Sequence, residues 1–122
     1  MKNKGGVLID NSTDPATGIP LYSLYGRNQR PSTKMLKGVE ALVFDIQDIG
    51  ARFYTYLTTM AYAMEEAAKN HLEFVVLHRP NPVSGDIIEG PELEPGISFF
   101  TAYPAVPARH AFTAGEISFS MP

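Results

Sequence analysis

The sequence predicts an α/β protein with a Rossmann-like βαβαβ parallel sheet, incomplete at both ends. Three observations predict it. The runs Ala41-Leu42-Val43-Phe44-Asp45-Ile46 and Glu73-Phe74-Val75-Val76-Leu77 are almost wholly apolar, β-branched or aromatic. Such runs suit strands covered on both faces, as in a parallel sheet. Between them, from Thr55 to Asn70, the apolar residues change to helical spacing. The third observation is their order: a strand expected at Pro20 to Tyr25 and a short helix opened by Pro31-Ser32-Thr33 come before them, giving strand, helix, strand, helix, strand. Further on, Thr113-Ala114-Gly115-Glu116 has the capping-box form that opens another helix.

Residues 1–18 read as a polar, turn-rich segment. Asn11-Ser12-Thr13-Asp14-Pro15 and Thr17-Gly18 are consecutive turn signals. Asn11-Ser12-Thr13 also has the form of a glycosylation sequon, but the turn is the reading adopted. Pro20 to Tyr25 is a short apolar and aromatic run closed by Gly26, expected as a strand. Pro31-Ser32-Thr33 is expected to open a short helix, with Ser32 as N-cap and Gly38 as stop.

In the 55–70 helix, Leu57, Met60, Ala61, Met64, Ala67 and Ala68 form the expected buried face. Thr58, Thr59, Glu65, Glu66 and Lys69 form the opposite one, with Glu65 and Lys69 spaced as an i,i+4 ion pair. Residues 78–108 hold six prolines and three glycines, which breaks regular structure, leaving short extended pieces at Ile87–Ile88 and Val106–Arg109. Phe112 and Ile117 flank the capping box as a hydrophobic staple. Few residues follow this helix start, so residues 113–122 are expected to begin a truncated helix, and 1–122 to form one partial Rossmann-like domain.

Composition excludes several functional classes. The 122 residues carry 13 acids against 10 bases, a net charge of −3, and nucleic-acid binders usually show a basic surplus. There is no cysteine, so disulfides, thiol catalysis and cysteine-ligated metals are excluded. No apolar run approaches the ~20 residues of a membrane span. The N-terminal residues lack the apolar core of a secretory signal, so the compartment is left open. His71, His78 and His110 are too scattered for a zinc pair, and Asp86, Glu89, Glu92 and Glu94 lack calcium-loop spacing. Neither a dinucleotide-binding glycine motif nor a phosphate loop is present. No metal and no cofactor is expected.

Ligands of open α/β sheets bind beyond the carboxyl ends of the strands. Two segments place polar groups there. Asp45 to Tyr56 holds Asp45, Gln47, Asp48, Arg52, Tyr54 and Tyr56. Carboxylates and amides bind sugar hydroxyls, and aromatic faces bind the apolar face of a sugar ring. The alternative is structural: Asp45 and Asp48 capping the next helix, with Arg52 pairing one of them. The second segment, His78-Arg79-Pro80-Asn81-Pro82, brackets Asn81 with prolines and carries a guanidinium able to grip a carboxylate. It would equally serve as a stiffened turn. Glu116 likewise has a structural alternative as the reciprocal arm of the capping box.

These residues also resemble a known family. Thr17 to Gly26, Ala41 to Tyr56 (ALVFDIQDIGARFYTY), His78 to Pro82, Glu89-Gly90-Pro91 and His110 to Glu116 follow one another as in the exo-β-N-acetylmuramidase family. The resemblance covers about residues 10–118. It implies a glycosidase that removes N-acetylmuramic acid from the non-reducing end of peptidoglycan fragments, often in the cell envelope. Family members are much longer, with two domains of which the first is Rossmann-like. They carry an upstream Pro-Glu-His-Gly motif, absent here, whose Glu would be an acid/base. His78 stands where the family usually has Asp, and Ala111-Phe112 replaces a usual Gly-Met pair.

By resemblance, Glu89 and Glu116 are the remaining candidate catalytic carboxylates. Asp45, Gln47, Asp48 and Arg52 would form the polar floor of a sugar pocket, with His110 beside them. Tyr54 and Tyr56 would touch the ring, and Arg79 and Asn81 would meet the lactyl carboxylate or the acetamido group. Glycosidases need two carboxyl groups across the scissile bond, one of them protonated. The expected reading is therefore a glycosidase fragment that is inactive alone. Its rivals are a non-catalytic muramic-acid-binding module and a non-functional remnant. Uncovered sheet edges would favour self-association or a partner domain.

Overall fold

The computed structural model describes residues 10–121. Six elements follow one another: β1 (Ser12–Thr13), β2 (Pro20–Leu21), β3 (Ala41–Phe44), α1 (Tyr56–Lys69), β4 (Glu73–Val76) and α2 (Ala114–Ser120). β3 and β4 pair in parallel, with Ala41 opposite Glu73 and Phe44 opposite Val76. A parallel pair needs a crossover connection, and α1 supplies it. The structure is thus a small α/β unit built on one strand–helix–strand motif.

The core lies between this sheet and the helices. Phe44, Leu57, Met60, Ala114 and Ile117 cluster there, with Tyr56, Met64, Phe74, Val76 and Met121 packed around them. Among the described residues only one sheet face is covered. Along β3 the side chains alternate, so Phe44 is 6% exposed while Val43 is 59% exposed. On β4, Val75 is 40% exposed. The expectation of strands buried on both faces is corrected: the helices among the described residues pack on one side, and the pleat turns every second residue to the other.

Two expected elements of the five-part pattern have other forms. Only Pro20–Leu21 of the 20–25 run is strand, and it pairs antiparallel with Ser12–Thr13 in a hairpin apart from the parallel pair. Ser12 and Thr13 are therefore strand rather than turn. The turn occupies Asp14–Gly18, where Gly18 N donates to Asp14 O at 2.8 Å and Gly18 has φ +73°. The Asp14 carboxylate accepts from the Thr17 hydroxyl and backbone, which holds its pKa below the ordinary value.

The expected helix after Pro31 is a sequence of turns. Ser32 caps as foreseen, its Oγ accepting from Met35 N at 3.4 Å. Gly38, at φ +81°, ends the segment before further turns can accumulate. A nucleus this short does not repay the ordering of its first turn by backbone bonds alone. Ile87–Ile88 and Val106–Arg109 are not strands either. They flank or form isolated bridges, Glu89 to Arg109 and Ala51 to Arg109.

α1 also differs from its expected faces. Thr58 and Thr59 are buried, and Ala68 is exposed. Leu57 to Ala61 are all buried, so burial over the first turns of α1 is wider than a single stripe. Thr59 satisfies its hydroxyl by donating to Thr55 O at 3.1 Å. Glu65 does not pair with Lys69; Arg30 reaches Glu65 at 2.6 Å, and Lys69 turns to Glu66 at 2.8 Å. Arg30 also lies 3.8 Å from the centroid of the Tyr62 ring. The helix ends at Asn70, whose side chain donates to Glu66 O, followed by His71 in the left-handed region at φ +56°.

α2 begins as the sequence requires. Thr113 Oγ1 accepts from Glu116 N at 3.2 Å, and Glu116 Oε2 accepts from Thr113 N at 2.8 Å. Of the two staple residues, Ile117 is buried at 2% while Phe112 is 40% exposed. Among the described residues no helix is long and apolar enough to cross a membrane.

Candidate functional site

The carboxyl ends of β3 and β4 lie side by side because the strands are parallel and in register. The loops that leave them, residues 45–50 and 79–83, therefore meet. The start of α2 joins them, and a narrow cleft, too tight to admit a water molecule, forms among Gln47, Asp48, Arg79, Asn81, Phe112 and Thr113. At the rim Arg79 and Asp45 form an ion pair, with both side chains about half exposed. Gln47 ties the two loops together, its amide donating to Asp48 O at 2.8 Å and to Pro80 O at 3.1 Å.

Beneath the rim the groups are buried. Asp48 is 4% exposed and His110 is fully enclosed. His110 Nδ1 lies 3.2 Å from Phe112 O, so that nitrogen carries the proton of the bond. His110 Nε2 lies 3.2 Å from Asp48 Oδ2, off the hydrogen-bonding direction. Asp48 Oδ2 accepts from Gly50 N at 2.7 Å, while Asp48 Oδ1 has no partner. Asn81 spends its amide on backbone: Nδ2 donates to His110 O at 2.8 Å and Phe112 O at 2.9 Å, and Oδ1 accepts from Val83 N at 3.0 Å.

The structural alternatives weighed for these aspartates are resolved in detail. Thr55, not Asp45 or Asp48, occupies the N-cap position of α1, without a side-chain cap bond, and Arg52 pairs with neither aspartate. Arg52 instead donates to the carbonyls of Pro91 at 3.0 Å and Val106 at 2.6 Å. It belongs to a second grouping, where segments 51–52, 89–91 and 106–109 lie together. There Glu89 pairs with Arg109, both through backbone bonds and through their side chains. An open, mostly apolar depression of about 540 Å³ adjoins them, lined by Ile49, Phe53, Val83 and Ala108.

The remaining candidates stand elsewhere. Tyr54 and Tyr56 meet edge to face, with ring centroids 4.7 Å apart. The neighbouring Tyr54 hydroxyl, with burial, raises the Tyr56 phenol above its ordinary pKa. Glu116 is held at the start of α2, and the Thr113 backbone and hydroxyl bonds lower its pKa despite slight burial, with His78 adding to the effect. A carboxylate so held is ionised at neutral pH. The structure thus gathers Asp45, Gln47, Asp48, Arg79, Asn81 and His110 into one cluster. It places Arg52 and Glu89 in a second, and the two tyrosines in a third.

The sequence reading missed the contacts that bring these segments close. A Cβ on Gly50, which has φ +77°, would overlap the Val83 methyl and lie 2.5 Å from Asn81 Oδ1. A Cβ on Gly115 would lie 2.9 Å from His78 Nδ1. The signal available was the glycine itself, since an isolated glycine beside a polar loop marks close backbone approach. Among the described residues no group of three or more histidines, aspartates or glutamates could hold a metal ion.

Comparison with known proteins bears on this arrangement. The family model described as "Exo-beta-N-acetylmuramidase NamZ, N-terminal" matches residues 2–121. The "Peptidoglycan beta-N-acetylmuramidase NamZ" of Bacillus subtilis (strain 168) is 50% identical over 115 residues, covering 94% of this chain and 28% of that protein. Two solved DUF1343-family proteins of Bacteroides fragilis NCTC 9343 share the fold. One has TM-score 0.84 at 47% identity, covering 88% of this chain and 28% of its own. The other has TM-score 0.78 at 34% identity, covering 88% and 29%. The chain thus spans less than a third of the length of these relatives. Matched along nearly its whole sequence, it belongs to the family of exo-β-N-acetylmuramidase NamZ N-terminal domains.

Proposed function

We propose that this chain is the sugar-holding part of a glycosidase that releases N-acetylmuramic acid from peptidoglycan fragments. The carrying observation is the meeting of Asp45, Gln47 and Arg79 at the β3 and β4 ends. The 50% identity to a peptidoglycan β-N-acetylmuramidase supports the same reading. In it, β3–α1–β4 is one unit of a Rossmann-like sheet, and 1–122 forms part of that domain.

Arg79 is the group suited to the lactyl carboxylate, because its guanidinium is half exposed and already engages a carboxylate, that of Asp45. Asp45 and Gln47 then face sugar hydroxyls. Tyr54 and Tyr56 offer aromatic surface for the ring. Arg52 and Asn81 support the loops by their backbone bonds.

Hydrolysis needs a protonated carboxyl at the leaving oxygen. Glu116 is set up in the opposite sense, its ionised form stabilised by Thr113. Glu89 is matched by Arg109. Glu116 thus suits a carboxylate role better than an acid role, which favours the reading of a chain that binds without turnover. Exposed apolar groups such as Phe119, at 93%, favour self-association or a covering partner domain.

The test is hydrolysis of a chromogenic N-acetyl-β-muramide by the purified chain, beside calorimetric titration with N-acetylmuramic acid. Saturable binding without hydrolysis is expected, with binding lost in Arg79→Ala. Turnover would show that the carboxylates of this chain suffice. Absence of binding would refute the sugar site.

A further inference from the structure

The geometry points to a positioning role for a buried hub of Asp48, His110 and Asn81, which presents Gln47 and Arg79 to the sugar without itself touching it. The inference rests on the exposed rim of Asp45, Gln47 and Arg79 being an N-acetylmuramic acid site. It reassigns three residues whose sequence setting marks them as contacts. His110 is fully enclosed and Asp48 is 4% exposed, so neither reaches a ligand in this arrangement.

Three segments converge on the hub, and each carries a group of the cleft. The β3 loop carries Gln47, the β4 loop carries Arg79, and the third leads into α2. Asn81 joins the second to the third by donating to two carbonyls two residues apart, those of His110 and Phe112. Its orientation is unambiguous, because carbonyls only accept and Val83 N–H requires the amide oxygen. The third segment is joined to the first twice: His110 N donates to Gly50 O at 3.2 Å, and the imidazole abuts Asp48. Gln47 then closes the ring by reaching Pro80 O.

The β4 loop carrying Arg79 has no regular structure and two prolines, so its side of the cleft is placed by these bonds rather than by a sheet ladder. Loosening Asn81 therefore moves Arg79 relative to Gln47. Binding that needs both groups at once falls with their relative placement.

The experiment compares Asn81→Ala with a core variant on α1, Met60→Val, in the full chain. Thermal unfolding, calorimetric titration with N-acetylmuramic acid, and nitrogen–proton spectra of the Gln47 amide and Arg79 Nε–H are recorded for each. Asn81→Ala is expected to weaken binding by about tenfold or more, with displaced Gln47 and Arg79 signals. Met60→Val is expected to bind within about twofold of the parent at a comparable loss of thermal stability.

Equal binding by Asn81→Ala and the parent would overturn the inference, as would loss of binding in both variants. If the parent itself binds no N-acetylmuramic acid, the sugar reading fails and the hub is judged by the spectra: signals displaced in Asn81→Ala alone uphold it, and unchanged signals overturn it. If Asn81→Ala does not fold, Asn81→Asp takes its place, because it keeps the volume and the acceptor for Val83 but loses both donors.

Discussion

His110 places its Nε2 3.2 Å from Asp48 Oδ2, with both side chains shut away from solvent. Removing the enclosed His110 ring leaves a cavity and takes the donor from Phe112 O. His110→Ala is therefore expected to cost about 3 kcal/mol or more. Asp48→Asn should cost less, about 1–2 kcal/mol, because the side chain keeps its volume and an amide oxygen can still accept from Gly50 N. Urea unfolding of the two variants checks the order. A His110→Ala loss smaller than that of Asp48→Asn would refute it.

Gly50 allows the 45–50 loop to press against the 79–83 loop. Gly50→Ala would put a methyl where Val83 and Asn81 already stand, in a backbone region alanine disfavours. The left-handed conformation costs about 1–2 kcal/mol and the overlap about 1–3 kcal/mol more. Gly38→Ala shares the backbone penalty but meets nothing within 4 Å. A lower denaturation midpoint for Gly50→Ala than for Gly38→Ala is expected, and equal midpoints would exclude steric contact as the cause.

The capping box at Thr113 has a pH signature. Glu116 has a lowered folded pKa, so the unfolded chain binds its proton first as pH falls. Its stabilising contribution is complete above the ordinary carboxylate range and disappears as pH drops through the folded value. Glu116→Gln keeps the cap bond without the titration, so its melting temperature should approach that of the parent as pH falls from about 6 to about 3. A gap constant with pH would count against the capped carboxylate. Thr113→Ala should cost about 1 kcal/mol near neutral pH and less at low pH, because it also removes a bond to the Glu116 carboxylate.

Tyr103 donates to Glu65, which Arg30 also holds. Burial alone would raise the Glu65 pKa, but the bonds from Arg30 and Tyr103 outweigh it and lower it. The same bond raises the Tyr103 phenol above its usual value. Ultraviolet titration of the phenols should show one fewer late-titrating tyrosine in Tyr103→Phe. That variant should lose about 1 kcal/mol, since the groups are only partly buried. An unchanged titration curve would rule out the bond.

His71 closes α1 in a left-handed conformation with φ +56°. Glycine pays no such penalty, so His71→Gly is expected to stabilise the chain by up to about 1 kcal/mol, partly offset by greater freedom of the unfolded chain. A lower melting temperature would show that the imidazole makes a compensating contact.

Local patterns were legible where the physical cause is local. The β-branched runs at 41–44 and 73–76, the helical period of 56–69 and the Thr113–Glu116 box are each dictated by residues a few positions apart. The parallel pairing follows as well, because a helix between two strands carries the chain back to the starting edge. The long matching block from Ala41 to Tyr56 was enough to indicate the family.

Other features depend on partners distant in sequence, which spacing cannot specify. Pro20–Leu21 left the expected parallel sheet because Ser12–Thr13 was available to pair with it. Thr58 and Thr59 are buried although they lie off the apolar stripe of α1. Asp45 met Arg79 from the other strand end instead of Arg52 nearby, and Arg52 found carbonyls at Pro91 and Val106. Residue order alone set which chemical groups the chain owns, its strand–helix–strand centre and its family. Tertiary structure alone decided which of those groups face solvent and which, like His110 and Asp48, are enclosed, because burial is set by the packing of segments that meet only when the chain closes on itself.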